Sequence, residues 1–109
     1  MSTVELTKDN FSEIIEGNGI VLVDFWADWC APCHAISPHL SQVISDLAGR
    51  IRLAKVEVDE GENMKLAGRY KVRGFPTVML FSAGEEIARF SGARPFNWIE
   101  RWIDEHLPT

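Results

Sequence analysis

Residues 20–26, Ile20-Val21-Leu22-Val23-Asp24-Phe25-Trp26, form a β-branched and aromatic run that is apolar on both faces of an extended chain. A strand of that kind belongs in the centre of a sheet covered on two sides. One residue breaks the pattern. Asp24 stands between Val23 and Phe25, where a carboxylate is costly to bury. Residues 51–58 read as a second central strand, with its own misfit, Lys55.

Around these runs strands and helices alternate. Residues 4–6 are a weak first strand. Thr7, Asp9 and Asn10 offer caps to a short helix with Phe11, Ile14 and Ile15 on one face, ended by Gly17 and Gly19. The stripe Ile36, Leu40, Val43, Ile44, Leu47 predicts a longer helix over residues 32–47. Pro32 suits its first turn, Pro38 inside it is expected to kink it, and Gly49 ends it. Residues 62–70 read as a short helix. Phe75-Pro76-Thr77 leads into a strand over residues 78–81. Ser82-Ala83-Gly84-Glu85 is a hairpin turn, residues 86–90 return as an edge strand, and Gly92 breaks it. Pro95 opens the last helix, whose expected buried stripe is Trp98, Ile99, Trp102, Ile103 and Leu107. Early crossovers make parallel pairs and the late hairpin is antiparallel. The expected fold is α/β, a central mixed five-stranded sheet flanked by four helices. With 109 residues and no repeat, low-complexity segment or linker, residues 1–109 are expected to be a single domain.

The net charge of −5 argues against nucleic acid or an anionic membrane as partner. No apolar run approaches the roughly 20 residues that span a bilayer. The start, Met1-Ser2-Thr3-Val4-Glu5, lacks a basic segment followed by an apolar one, so a chain without a secretory signal, working in the cytoplasm, is expected. Thiols are kept reduced there, and a lone pair of cysteines reads as catalytic or metal-binding rather than as a staple.

That pair, the only cysteines in the chain, lies in Trp29-Cys30-Ala31-Pro32-Cys33-His34, between the strand and the long helix. A thiolate attacks a disulfide, and the unpaired N–H groups and dipole of a helix start favour negative charge on Cys30. Cys33 follows one turn on, close enough to close a small ring. Cys30 is expected to be the exposed attacker that forms a mixed disulfide with another protein, and Cys33 the shielded resolver that releases it. A shielded Cys33 needs a proton acceptor. Asp24, whose pKa burial should raise from ~3.9 toward neutrality, is the candidate.

The stretch from Phe25 to Cys33 resembles the active-site sequence of the thioredoxin family. The likeness extends over nearly the whole chain, taking in Asp24, Lys55, Pro38, the loop Val72-Arg73-Gly74-Phe75-Pro76-Thr77 and Gly92. Thioredoxin is itself the standard example of a C-x-x-C redox motif. The resemblance implies a thioredoxin fold and a protein-disulfide reductase. It implies that Pro76 is cis and packs over the cysteines, and that the Phe75 backbone pairs with an extended client segment. Trp29, Pro32, Gly92 and Ala93 would form an apolar docking rim, Ala31 would lie within the contacted motif, and Lys55 would tune Asp24. It further implies disulfide-containing client proteins, recharging by an NADPH-dependent thioredoxin reductase, no cofactor held by this chain, and a monomer serving electron transport and cell redox homeostasis. Two positions depart from the family pattern: Ala31 where glycine is typical, and His34 where lysine is usual. The first touches redox poise. The second exchanges a permanent charge for one that ordinarily titrates near pH ~6.5, which should make Cys30 reactivity more pH-dependent.

Other readings are weaker. Ala31 and His34 leave room for a thiol oxidase or isomerase of the same fold, although oxidases work in oxidising compartments. A non-catalytic partner subunit is a further alternative. Cys30 to His34 also spells C-x-x-C-H, a c-type haem attachment signature, but it follows a strand directly, whereas haem c folds are usually helical. A zinc site needs a second ligand pair, and only His34, His39 and His106 remain, so no metal is expected. Met64 and Met79 read as packing residues.

Overall fold

The computed structural model describes residues 3–17, 19–47 and 49–108. Nine elements follow in chain order: β1 (Thr3–Glu5), α1 (Phe11–Gly17), β2 (Ile20–Trp26), α2 (Ala31–Asp46), β3 (Arg52–Glu57), α3 (Asn63–Arg69), β4 (Thr77–Ser82), β5 (Glu85–Ser91) and α4 (Phe96–His106). The strands form one five-stranded sheet in the order β1-β3-β2-β4-β5. β2 takes the centre, as its two apolar faces require. It pairs parallel with β3 and antiparallel with β4. The sheet is therefore mixed, as expected, with the hairpin of β4 and β5 closing one edge.

Alternation along β2 divides the core. Val21, Val23 and Phe25 join Phe11 and Ile15 of α1 and Leu66 and Ala67 of α3 in one cluster. Leu22 joins Ile36, Leu40, Val43 and Ile44 of α2 and Ile99, Trp102 and Ile103 of α4 in the other. A strand residue two positions from Leu22 shares its face, so Asp24 lies on the α2 and α4 side.

The hairpin turn places Ala83 and Gly84 at φ 51° and 87°, the double positive φ that matches strand twist in a two-residue turn. α2 runs without a break through Pro38. Two expectations need correction. Met64 is 51% exposed rather than packed, because Asn63, Leu66 and Ala67 occupy the inward face of α3 and Met64 falls outside it. Trp98 and Leu107 of the expected stripe are only half-buried, since α4 turns Ile99, Trp102 and Ile103 to the sheet. Among the described residues no helix is long and apolar enough to cross a membrane.

Candidate active site

α2 begins at the thiols. Cys30 is its N-cap, with an extended backbone at φ −97° and ψ 104°. The Cys30 carbonyl accepts the Cys33 and His34 amides at 3.1 and 3.3 Å. The Cys33 N–H also approaches Cys30 Sγ at 3.3 Å. That amide lies in the first turn of the helix, and a sulfur stands where a capping oxygen usually would. The amide and the helix dipole favour negative charge on that sulfur. Pro32 lies in the first turn, where its missing N–H leaves no bond unmade. Cys33 follows one turn on and is joined to Cys30 in a disulfide, with the Cα atoms 5.3 Å apart.

The expected contrast between an exposed Cys30 and a shielded Cys33 is not observed. Cys30 is 4% exposed and Cys33 2%. Cys30 and Cys33 both belong to an apolar cluster against which Trp26, Val72 and Phe75 pack. The two sulfurs differ instead in backbone place, since Cys30 caps the helix and Cys33 lies inside it.

Asp24 is 1% exposed, and among the described residues neither carboxylate oxygen has a hydrogen-bond partner. The parallel register sets Lys55 of β3 beside it. Lys55 Nζ lies 3.9 Å from Asp24 Oδ2, donates to Ser37 Oγ at 2.7 Å, and sits 5.7 Å from the Trp26 ring centroid. Ser37 follows Cys33 by four residues and shares its face of α2. Lys55 thus links the helix below Cys33 to the carboxyl in the strand. Burial pushes the Asp24 pKa up to about 7 against the opposing pull of Lys55. Desolvation prevails because the cation stands off without a hydrogen bond to the carboxylate.

The Phe75–Pro76 bond is cis. The Pro76 carbonyl accepts the Gly92 N–H at 2.9 Å, joining the loop before β4 to the end of β5. Among the described residues the backbone N–H and C=O of Phe75 take no partner. Its ring meets Trp29 edge-on at 6.0 Å. Trp29 is 67% exposed and donates from Nε1 to Asp59 Oδ2 at 2.7 Å. Gly92 has φ +87°, which suits glycine, and a Cβ there would meet nothing within 4 Å. Ala31, Pro32 and Ala93 are exposed. A continuous chain of contacts therefore runs from Trp29 through Phe75 and Pro76 to Gly92. His34 turns to the loop before Cys30 and to Trp26. Its Nε2 lies 2.7 Å from the Asp28 carbonyl, which can only accept, so that nitrogen carries a proton. Its ring stands edge-on to Trp26 at 5.9 Å.

A family model described as Thioredoxin matches residues 2–105. A thioredoxin of Chlorobaculum thiosulfatiphilum is 41% identical over 104 residues, 94% of each chain. Thioredoxin 2 of Chlorobaculum tepidum is 38% identical over 104 residues, again 94% of each. A thioredoxin of Staphylococcus haemolyticus is 37% identical over 107 residues, 98% of this chain and 100% of that one.

The chain belongs to the thioredoxin family. With its Cys30–Cys33 pair it is a thioredoxin-type protein-disulfide reductase, a thiol-disulfide oxidoreductase. Thioredoxin-family proteins act on disulfide-containing substrates and work with reductase partners. Two supporting residues escaped the sequence reading. Ser37 is the hydrogen-bond acceptor that holds Lys55, and its only signal is its spacing of four from Cys33. Asn63 is 3% exposed. Its Nδ2 donates to the carbonyls of Leu6 at 3.3 Å and Glu57 at 2.9 Å, and its Oδ1 accepts the Lys8 amide at 3.2 Å. It ties the loop after β1 to the end of β3. A buried asparagine at a helix start looks like a cap in sequence, and nothing there reveals its distant partners.

Proposed function

We propose that Cys30 is the nucleophile of disulfide reduction and Cys33 the resolver. The observation that carries this assignment is the position of Cys30 Sγ at the N-cap of α2, facing the Cys33 amide. In the reduced protein the Cys30 thiolate attacks one sulfur of a client disulfide. The client S–S bond breaks, its other sulfur leaves as a thiolate, and a mixed disulfide forms. Asp24 takes the proton from Cys33, directly or through the polar contacts around Lys55. The Cys33 thiolate then attacks Cys30 Sγ, the mixed bond breaks, and the second client sulfur leaves. Two electrons pass to the client, and the Cys30–Cys33 disulfide remains. Lys55 acts on this step through Asp24 by opposing its desolvation.

Clients dock along the rim of Trp29, Pro32, Phe75, Pro76, Gly92 and Ala93, with Ala31 at its edge. The unpaired backbone of Phe75 offers the client an extended partner, and the open space over Gly92 admits its main chain. The chain works as a single-domain monomer spanning residues 1–109, in the cytoplasm, and is recharged by an NADPH-dependent thioredoxin reductase. It thereby carries electrons and supports redox homeostasis. The nicotinamide cofactor belongs to the reductase. The test is insulin reduction coupled to such a reductase. Cys30→Ser should abolish turnover, and Cys33→Ser should accumulate an isolable mixed disulfide through Cys30. Retained turnover in Cys30→Ser, or trapping through Cys33 instead, would overturn the assignment.

A further inference from the structure

Four side chains recur at intervals of four from the segment before α4 along one edge of the helix: Arg94, Trp98, Trp102 and His106. The Arg94 guanidinium lies 4.6 Å from the Trp98 ring centroid. Trp98 and Trp102 are nearly parallel, with centroids 6.4 Å apart and an interplanar angle of 12°. His106 lies 5.3 Å from Trp102, and its Nδ1 lies 2.8 Å from the Trp102 carbonyl. Phe90 of β5 packs edge-on against both indoles, at 5.0 and 4.8 Å. This ladder is anchored in the core at Trp102 and ends at an exposed cation.

That cation stands two residues beyond Gly92, at the docking rim. A guanidinium stacked on an indole has few rotamers left to lose, so it can meet a carboxylate with little further ordering. Among the described residues no carboxylate pairs with Arg94 or with Arg73, the other arginine beside the rim in the loop before Pro76. Arg89 differs, since Glu86 neutralises it. The opposite flank is acidic. Asp59 accepts from Trp29, and His34 lies 3.9 Å from Asp28 Oδ1. The rim thus has carboxylates on its Trp29 side and two unpaired guanidinium groups on its Gly92 and Pro76 side.

We propose that Arg94, held by Trp98, is a specificity-determining residue that selects disulfide-bonded clients carrying an aspartate or glutamate beside the reacting cysteine. Trp98 is its positioning residue. The proposal rests on the docking rim described above. Its test uses the full chain with matched disulfide peptides that have Glu, Gln or Lys next to the cysteine. Wild type should reduce the Glu peptide about three- to fivefold better in kcat/KM than the Gln peptide, the scale of one exposed ion pair. The difference should lie in KM and shrink in high salt. Arg94→Gln should bring the ratio to about one. Trp98→Leu should lower it, and Arg94→Lys should restore only part of it. Arg101→Gln, the same charge change elsewhere on α4, should leave it intact. Equal turnover of all three peptides by wild type, or an unchanged ratio in Arg94→Gln, overturns the proposal. Failure to reduce any peptide would instead overturn the assignment of the rim and the thiols.

Discussion

Among the described residues two carboxylates have lysine partners, and their surroundings send them in opposite directions. Glu62, at the start of α3, is met by Lys8 at 2.8 Å and Lys65 at 3.1 Å. Those hydrogen bonds hold its pKa down at about 2. Asp24, in the middle of the sheet, has one lysine at 3.9 Å and no hydrogen bond, and burial lifts its pKa to about 7. The shorter contacts are at the surface, where water and salt screen them and the pairs contribute little to stability. The longer contact is in the interior, where the carboxyl is poised to exchange a proton near neutral pH. Proximity of opposite charges thus does not decide a carboxylate's role here. The water left around it does.

The linkage to stability follows with opposite signs. Between the ordinary aspartate pKa of 3.8 and about 7, native Asp24 keeps a proton that the unfolded chain has released. Stability therefore falls as pH rises through that window and levels off above it. For Glu62 the native pKa is the lower one, so its contribution is present above the ordinary 4.5 and is lost as pH falls toward 2.

Substitutions can break or sharpen this contrast. The largest effect is expected from Asp24→Ala. It should slow resolution of the mixed disulfide by about a hundredfold, the loss typical of a general base. It should also stabilise the fold at pH 8 by roughly 2–4 kcal/mol, a gain that vanishes below about pH 4. Denaturant melts across pH check both statements, and equal stability of the two proteins at pH 8 would break the comparison. Next comes Lys55→Met. It removes the charge that lowers the Asp24 pKa, so the fall in stability should extend to higher pH and the pH profile of resolution should shift the same way. The smallest effect is expected from Glu62→Gln, which should leave the melting temperature near neutral pH unchanged within error because the pair is exposed.

Much of this was legible in the residues. The span of β2, the hairpin at Ala83 and Gly84, and the misfit of Asp24 and Lys55 all follow from local pattern. That the two misfits are neighbours does not, because it depends on the parallel register of β2 and β3, set by contacts distant in sequence. The motif marks Cys30 and Cys33 as the reactive pair. It hides the burial of Cys30, which lies in an apolar cluster joined by residues far along the chain such as Phe75. Ser37 and Asn63 are ordinary helix residues until their partners are known. Trp98 follows the helical stripe yet stays half exposed, because it lies at the edge of α4 rather than toward the sheet.

The most direct test follows resolution of a preformed Cys30–client mixed disulfide in a single turnover, by tryptophan fluorescence, from about pH 5 to pH 9. Trp26 and Trp29 immediately precede the reacting pair in sequence and provide the signal. In the wild type the rate should rise through an ionisation near pH 7, the value burial gives Asp24. In Asp24→Asn that step should disappear, leaving a slow rate that climbs only as the Cys33 thiol itself ionises. The same midpoint and the same rates in both proteins would contradict the account.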